Sequence, residues 1–156
     1  MSSLSQSPTN SQLIGKYRLV RELGDGAFGA VWAAIDTDNG NEVAIKVVHR
    51  ERMNDSETTH LLREVRSAGQ LSHPNIVAVR EVGKSGDQQY IVSDLVDGIS
   101  LSAWLKRYTC EIPQAARWAA ILGHALQHAH EAGIVHRDLK PGNIMVDVQG
   151  SLHVMD

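Results

Sequence analysis

The sequence has little of what marks secreted, membrane or nucleic-acid-binding proteins. It holds 156 residues and a single cysteine, Cys110, so it can form no internal disulfide and no thiolate metal cage, which fits a reducing compartment. No apolar run approaches the roughly 20 residues that a helix needs to cross a bilayer, and the N-terminus lacks a basic segment followed by an apolar one. Basic residues number 15 against 18 acidic ones, so no positive excess points to phosphate backbones. We therefore expect a cytoplasmic protein with no nucleic-acid partner and no membrane segment.

The residues that are present suit a folded globular domain. Hydrophobic residues make up 42% of the chain and charged residues 21%, a balance that disordered chains do not have. Residues 1–16 are mostly Ser, Asn, Gln, Thr and Pro, and we expect them to form a flexible polar tail. Hydrophobic periodicity then predicts three strands, a helix, two strands, two helices and a small hairpin, over residues 17–20, 30–35, 42–48, 61–71, 76–82, 89–93, 101–107, 114–131 and 144–155.

A glycine-rich segment from Gly24 to Val31 has the spacing Gly-x-Gly-x-x-Gly-x-Val. Glycines let a backbone approach phosphates closely and present its N–H groups to them. Because Val31 opens a strand rather than a helix, and no Lys-Ser or Lys-Thr follows, a dinucleotide-binding turn and a Walker-type loop are both disfavoured. A plain glycine turn between two strands remains an alternative for this segment alone.

Two charged residues lie where apolar ones are expected. Lys46 interrupts an apolar strand, and Glu64 lies on the following helix close to its apolar face. Each has an ordinary interpretation, because strand alternation can place the lysine on a solvent face and a helix glutamate is usually exposed. Together they could satisfy each other and leave the ammonium group directed at a phosphate.

The segment from His136 to Asn143 concentrates groups suited to phosphoryl transfer. Asp138 could accept a hydroxyl proton, Lys140 could neutralise phosphate charge, and the amide oxygen of Asn143 suits a hard cation such as Mg²⁺. Asp156 follows an apolar strand and could give a second oxygen to the same cation. Its alternative interpretation is that of a frayed terminal residue.

The sequence resembles the eukaryotic-type serine/threonine protein kinases, with a bacterial-like catalytic loop. The resemblance rests on four features that occur in the family's order: the glycine-rich segment, Lys46 on its strand, Glu64, and the segment from His136 to Asn143. The resemblance runs from about Tyr17 to Asp156. It implies an α+β, two-lobe protein-kinase-like fold with a complete N-lobe over 17–93, made of a five-stranded antiparallel sheet plus the αC helix. A hinge over 94–98 and the start of an incomplete helical C-lobe over 99–156 would follow. The sequence stops at the aspartate of the Asp-Phe-Gly motif, so we expect apolar surface on the long helix that a protein partner could cover.

The resemblance also implies a role for each signature residue. ATP would be bound by the glycine loop, the strand lysine, the helix glutamate, an apolar roof and the hinge, through Leu23, Gly24, Asp25, Gly26, Ala27, Phe28, Gly29, Ala30, Val31, Ala44, Lys46, Glu64, Asp94 and Val96. Asp138 would be the catalytic base, Lys140 and Asn143 would complete the catalytic loop, and Asn143 with Asp156 would bind Mg²⁺. Ser93 would be the gatekeeper, small enough to leave room behind the adenine.

The implied activity is transfer of phosphate from ATP to Ser or Thr hydroxyls of protein substrates, weak or absent in this truncated chain. The alternative is a catalytically inactive kinase fragment that acts as a nucleotide-binding or protein-interaction module. A possible metal site is a separate question, because His124 and His128 lie at positions i and i+4 of a predicted helix, a spacing that can bind zinc. No third ligand is evident, and the resemblance gives this helix a packing role.

Overall fold

The computed structural model describes residues 12–26, 29–49 and 54–155, which form a sheet with one helix and then a mainly helical region. The strands are β1 Leu13–Ile14, β2 Tyr17–Asp25, β3 Gly29–Asp36, β4 Glu42–Val48, β5 Val79–Ser85, β6 Gln88–Asp94, β7 Gly98–Ser100, β8 Ile144–Asp147 and β9 Leu152–Val154. The helices are α1 Asp55–Ala68, α2 Leu101–Arg107 and α3 Ile112–Glu131, with a 3-10 turn at Pro141–Asn143.

The larger sheet has six antiparallel strands in the order β1-β2-β3-β4-β6-β5, one more than the five expected. The extra strand pairs Leu13 and Ile14 with the start of β2, and Ile14 is buried. Gly15 makes this reversal possible, because its φ is +58° and a Cβ there would lie 2.9 Å from the Tyr90 hydroxyl oxygen. The flexible tail expected over residues 1–16 therefore ends earlier than predicted, because Leu13 and Ile14 form a strand. These two adjacent apolar residues were the overlooked signal.

The two faces of this sheet bury separate clusters. One face packs Ile14, Tyr17, Ala34, Val43, Ile45, Val47, Tyr90 and Val92 together, while the other packs Val48, Leu62 and Ile91 beneath α1. Side chains alternate along a strand, so Ile45 and Val47 of β4 belong to the first face and Val48 to the second. Lys46 consequently lies on the α1 face of the sheet.

A pair of buried tyrosines closes the first cluster, and we call it the tyrosine clamp. The hydroxyl of Tyr17 donates to Glu81 Oε2 at 2.6 Å, and that of Tyr90 donates to Glu81 Oε1 at 3.0 Å. Burial, helped by the Glu81 carboxylate, raises the pKa of both phenols. The clamp therefore ties β2 and β6 to β5 on the face opposite Lys46.

Helix α1 begins at a capping box, in which Asn54 Oδ1 accepts from the Glu57 N–H at 2.8 Å and Glu57 Oε2 accepts from the Asn54 N–H at 3.0 Å. Its buried residues are Thr58 and Leu62, four positions apart on one stripe. Successive helical residues are turned by about 100°, so Glu64 lies about 200° around the helix from Leu62. The glutamate therefore belongs to the exposed side of α1, not to its buried stripe.

The helical region surrounds a third cluster made of Leu101, Trp118, Ile144, Val146 and Leu152. Its small sheet has the order β7-β8-β9, so the expected hairpin gains a strand at Gly98–Ser100, which is too short to read from periodicity. Helix α3 starts two residues earlier than predicted, with Pro113 in its first turn.

Backbone hydrogen bonds join the helical region to the segment after α1. Val77 N–H donates to the Val154 carbonyl at 2.9 Å, and Val154 N–H donates to the Asn75 carbonyl at 2.8 Å. The amide of Asn75 adds a bond of 2.8 Å to the carbonyl of Leu152. This segment therefore fixes β9 against the sheet region.

Large apolar residues remain exposed on the helical region. Ile112 at the start of α3 is 86% exposed, and Tyr108 and Leu105 beside it are more than a third exposed. The apolar surface expected on this helix is thus concentrated at its first turn, whereas Trp118, Ala125 and Ala129 are buried. Among the helices that the structure describes, none is long and apolar enough to span a bilayer.

Candidate active site

Lys46 occupies the middle of the large sheet. On β4 it lies opposite Val31 of β3 and Ile91 of β6, and its side chain is half-buried. Two residues earlier on the same strand, Ala44 lies opposite Ser93. The residues expected to form the lysine site, the apolar roof and the gatekeeper position are thus neighbours on three adjacent strands.

The glycine-rich segment joins β2 to β3. Asp25 pairs with Ala30 across the two strands, and Gly26 N–H donates to the Gly29 carbonyl at 3.1 Å. Gly29 packs directly on the backbone of β4, where a Cβ would overlap the Val47 carbonyl oxygen. The glycine at this position is required by that close approach; Ala27 and Phe28 lie outside the described residues.

The expected hinge begins at the end of β6 with Asp94. Its backbone N–H donates to the Ala78 carbonyl at 3.0 Å, and its carboxylate accepts two bonds from the Arg80 guanidinium at 2.6 and 2.8 Å. The hydrogen bonds that the Arg80 guanidinium donates to Asp94 raise the pKa of Arg80. A ligand that hydrogen-bonds the backbone of Asp94 would therefore donate to its carbonyl oxygen. Val96 follows two residues later, before β7.

The loop from His136 to Asn143 brings three predicted residues together. Lys140 Nζ lies 2.9 Å from Asp138 Oδ2, and Asn143 Nδ2 donates to the same oxygen at 3.1 Å and to the Asp138 carbonyl at 2.9 Å. The hydrogen bond from Lys140, supported by the one from Asn143, holds the pKa of Asp138 below its ordinary value. Asp138 is therefore a carboxylate at neutral pH, and both side-chain contacts reach Oδ2 rather than Oδ1.

His136 fixes the start of this loop. Its Nδ1 accepts the Asp138 N–H at 3.2 Å, so the ring carries its proton on Nε2, which lies 2.7 Å from the Met155 carbonyl oxygen and donates to it. Between the two bonded residues, Arg137 adopts a φ of +64°, which non-glycine residues seldom adopt. Met155 N–H also donates to the Asn143 carbonyl at 2.9 Å. The residue before Asp156 is thus tied to both ends of the catalytic loop, while Asp156 itself lies outside the described residues.

The expected pairing of Glu64 with Lys46 differs from what the structure contains. The Glu64 carboxylate contacts Arg137 Nη1 at 3.4 Å and His60 Nδ1 at 3.7 Å. The physical reason is the position of Glu64 on the exposed side of α1, which leaves its side chain 53% exposed. No role was predicted for Arg137, because the sequence marks it only by its position next to Asp138.

The histidines gain a neighbour that spacing along α3 did not suggest. His73, which follows α1, has its ring centroid 5.3 Å from that of His128, while its Nδ1 accepts the Asn75 N–H at 3.0 Å. The Nδ1 lone pair of His73 is therefore occupied by the Asn75 N–H, so this nitrogen is not available to a metal ion. In the part of the chain that the structure describes, no group of three or more His, Cys, Asp or Glu residues is placed to hold a metal.

An antiparallel sheet with one helix, joined through a short connection to a helical region that carries an aspartate, lysine and asparagine loop, is the architecture of the protein kinase class. The family model described as "Protein kinase domain" matches residues 17–156. The chain belongs to that family, in agreement with the resemblance and the α+β fold inferred from its motifs.

Similar proteins point to the bacterial serine/threonine-specific branch. The chain is 40% identical to serine/threonine-protein kinase PknA of Mycobacterium tuberculosis over 151 residues, and 36% identical to serine/threonine-protein kinase PrkC of Bacillus subtilis over 147 residues. It spans 35% of the length of the first and 23% of the second. A crystal structure of the M. tuberculosis PknI kinase domain superposes with a TM-score of 0.83 at 25% identity, over 97% of this chain and 62% of that one.

Proposed function

We propose that this domain transfers the γ-phosphoryl group of ATP to Ser or Thr hydroxyls of protein substrates. The observation that carries the proposal is the Asp138 carboxylate, held ionised between Lys140 and Asn143. An ionised carboxylate on a fixed loop can accept the proton of an attacking hydroxyl, and an ammonium beside it can neutralise charge on the transferred group.

ATP binding follows from the arrangement around β4. The segment from Gly24 to Val31 would cover the phosphates, with Leu23 beside it, and Lys46 would hold the α- and β-phosphates. Ala44 and Val31 would pack against one face of the adenine ring, and the backbone of Asp94 and Val96 would hydrogen-bond the edge of the ring. Gly29 supports this placement, since its contact with the Val47 carbonyl brings the loop close to the strand that carries Lys46.

The transfer itself requires a proton acceptor, a positioned phosphate and a leaving group. The substrate hydroxyl would give its proton to Asp138 as its oxygen bonds to the γ-phosphorus, and the bond to the β–γ bridging oxygen would break to release ADP. Lys140 and Asn143 already occupy Oδ2 of Asp138, so Oδ1 is the oxygen that would face the hydroxyl. The 3-10 turn at Pro141–Asn143 fixes their spacing.

Mg²⁺ fits the oxygen donors that the loop can supply. The Asn143 amide nitrogen donates to Asp138, which turns its carbonyl oxygen away as a candidate ligand, and Asp156 would add a carboxylate. When bound, the cation would neutralise charge on the phosphates. The hydrogen bond that His136 donates to the Met155 carbonyl and the one that the Met155 N–H donates to Asn143 hold the chain just before Asp156, which supports this assignment.

Glu64 would have to exchange partners before it could orient Lys46. Its contact with Arg137 joins side chains that are 53% and 74% exposed, and such pairs contribute only about 0–1 kcal/mol. The exchange is therefore inexpensive, and we propose that nucleotide binding accompanies it. Lys46 and Glu64 would then act together on the α- and β-phosphates.

Radiolabelled phosphate transfer from ATP to a generic Ser/Thr substrate tests the proposal. The wild-type chain should label the substrate, Asp138→Asn should lose at least about 100-fold of that rate, and Asp38→Asn, which changes an exposed aspartate in the turn between β3 and β4, should match the wild type. Equal labelling by wild type and Asp138→Asn contradicts the proposed role.

A second candidate is a nucleotide-binding or protein-interaction module without turnover. The observation that favours it is the exposed apolar group at Leu105, Tyr108 and Ile112, which suits a protein partner. Under this candidate MgATP stabilises the fold, yet wild type and Asp138→Asn are equally silent in the transfer assay. We propose a cytoplasmic location, where ATP is available to either candidate that binds it and Cys110 stays reduced.

A further inference from the structure

A contact between the glycine-rich segment and the end of β4 is not explained by any role given above. His49 Nε2 lies 2.6 Å from Asp25 Oδ1, so a residue just beyond β4 holds a residue 24 positions earlier at the end of β2. The two side chains are 29% and 44% exposed, so this is a partly buried pair rather than a fully solvated one. We refer to it as the Asp25–His49 pair.

The register of the sheet shows what this pair spans. Asp25 is opposite Ala30 of β3, and Gly29 of β3 is opposite Val48 of β4. The pair therefore crosses β3 and joins two strands that do not touch each other. It closes the open end of the sheet at the point where the glycine-rich segment begins, so it restrains the base of that segment.

Charge makes this restraint relevant to nucleotide binding. Asp25 is the one acidic residue between Gly24 and Val31, and a carboxylate in a segment that covers phosphates repels them. The register places Asp25 on the same sheet face as Ala30 and Val47, which is the face opposite Lys46. The contact with His49 holds the Asp25 carboxylate on that face.

We propose that His49 is a positioning residue for nucleotide binding, which holds the Asp25 carboxylate away from the polyphosphate and fixes the base of the glycine-rich segment. This rests on the proposed ATP binding. It assigns the selectivity for phosphate-bearing ligands partly to a residue outside the glycine-rich segment.

The test compares MgATP with adenosine, which has the same base and ribose but no phosphates. His49→Ala should weaken MgATP binding by about fivefold, the size expected when one partly exposed hydrogen bond is lost, and should change adenosine binding by less than twofold. His49→Gln, whose amide can still donate to Asp25, should stay within twofold of the wild type for both ligands. His130→Ala, which removes an exposed histidine from α3, is the matched control and should change neither.

The double variant separates charge from general loosening of the fold. Asp25→Ser in the His49→Ala background removes the carboxylate but keeps the backbone N–H groups that the glycine-rich segment would present to the phosphates, so MgATP affinity should return to within twofold of the wild type. Equal weakening of MgATP and adenosine by His49→Ala, no weakening at all, or no recovery in the double variant would each overturn the proposal.

A nucleotide-free measurement distinguishes failure of this inference from failure of ATP binding. Amide hydrogen exchange at Gly24 and Gly26 should accelerate at least threefold in His49→Ala and stay unchanged in His130→Ala. If the wild type binds neither ligand, the proposed function fails, while faster exchange still supports the restraint. Unchanged exchange overturns the restraint whatever the nucleotide data show.

Discussion

The tyrosine clamp should contribute more to the stability of the sheet region than any surface ion pair. Tyr17 and Tyr90 are 3% and 5% exposed, and both hydroxyls donate to the one carboxylate of Glu81. Glu81→Ala leaves two buried donors without their acceptor. At about 1–3 kcal/mol for each of the two orphaned groups, the free energy of unfolding should fall by about 2–6 kcal/mol.

Removing the donors should cost less than removing the acceptor. Tyr17→Phe or Tyr90→Phe loses one hydrogen bond, about 1 kcal/mol, because Glu81 is only half-buried and water can replace the lost partner. The triple variant Glu81→Ala, Tyr17→Phe, Tyr90→Phe should then be more stable than Glu81→Ala alone, since no buried hydroxyl remains unpaired.

Urea unfolding followed by tryptophan fluorescence measures these differences, because Trp32 packs against the hydrophobic cluster that contains Tyr17 and Tyr90. Glu22→Ala, which removes an exposed glutamate from β2, is the matched control and should change the free energy by less than about 0.5 kcal/mol. The reasoning is refuted if Glu81→Ala is as stable as Glu22→Ala, or if the triple variant is no better than Glu81→Ala.

Three further predictions concern pH and the nucleotide site. The hydrogen bond from His153, helped by backbone N–H groups, lowers the pKa of Asp147 in the folded state. The stability that the ionised Asp147 contributes is therefore complete above about pH 4 and is lost as the pH falls through this lowered pKa. In melting temperatures measured from pH 5 to 2.5, Asp147→Ala should show a weaker dependence on pH than the wild type. Burial, together with nearby His128, lowers the pKa of His73, so the stability of the fold should decline as the pH drops below about 6.5. Melting temperatures at pH 7 and 5.5 should show a smaller decline in His128→Gln than in the wild type. Ser93→Met should weaken a bulky adenine-site inhibitor at least tenfold and ATP less than threefold in competition binding, and equal affinity of the inhibitor for both proteins would contradict a small gatekeeper.

Strands and helices with a complete local signal were predictable from the sequence. The bounds of β4 and α2 agree with the patterning to the residue, because each is an apolar-rich segment that starts directly after a turn or cap residue, Asn41 for β4 and Ser100 for α2. The strands β1 and β7 were not predicted, because two or three residues carry no period and their pairing depends on partners elsewhere in the chain. The close approach of Gly98 to Val146 is one such dependence.

The candidate site divides in the same way. Asp138, Lys140 and Asn143 come together because they lie within six residues of one loop closed by a 3-10 turn, and their catalytic roles stay a prediction. The partner of Glu64 was not predictable, because it depends on which side of α1 packs on the sheet and on how the chain returns to Arg137. Asp25 and His49 are likewise joined only through the register of three strands.

The most direct test of the account is calorimetric titration of the chain with ATP in the presence of Mg²⁺. The wild type should bind at one site per chain, and Lys46→Met should bind at least tenfold more weakly because it removes the ammonium assigned to the phosphates. Lys84→Met, which removes an exposed lysine from β5, should bind as the wild type does. Equal affinities for wild type and Lys46→Met, or no heat of binding with either, would contradict the account.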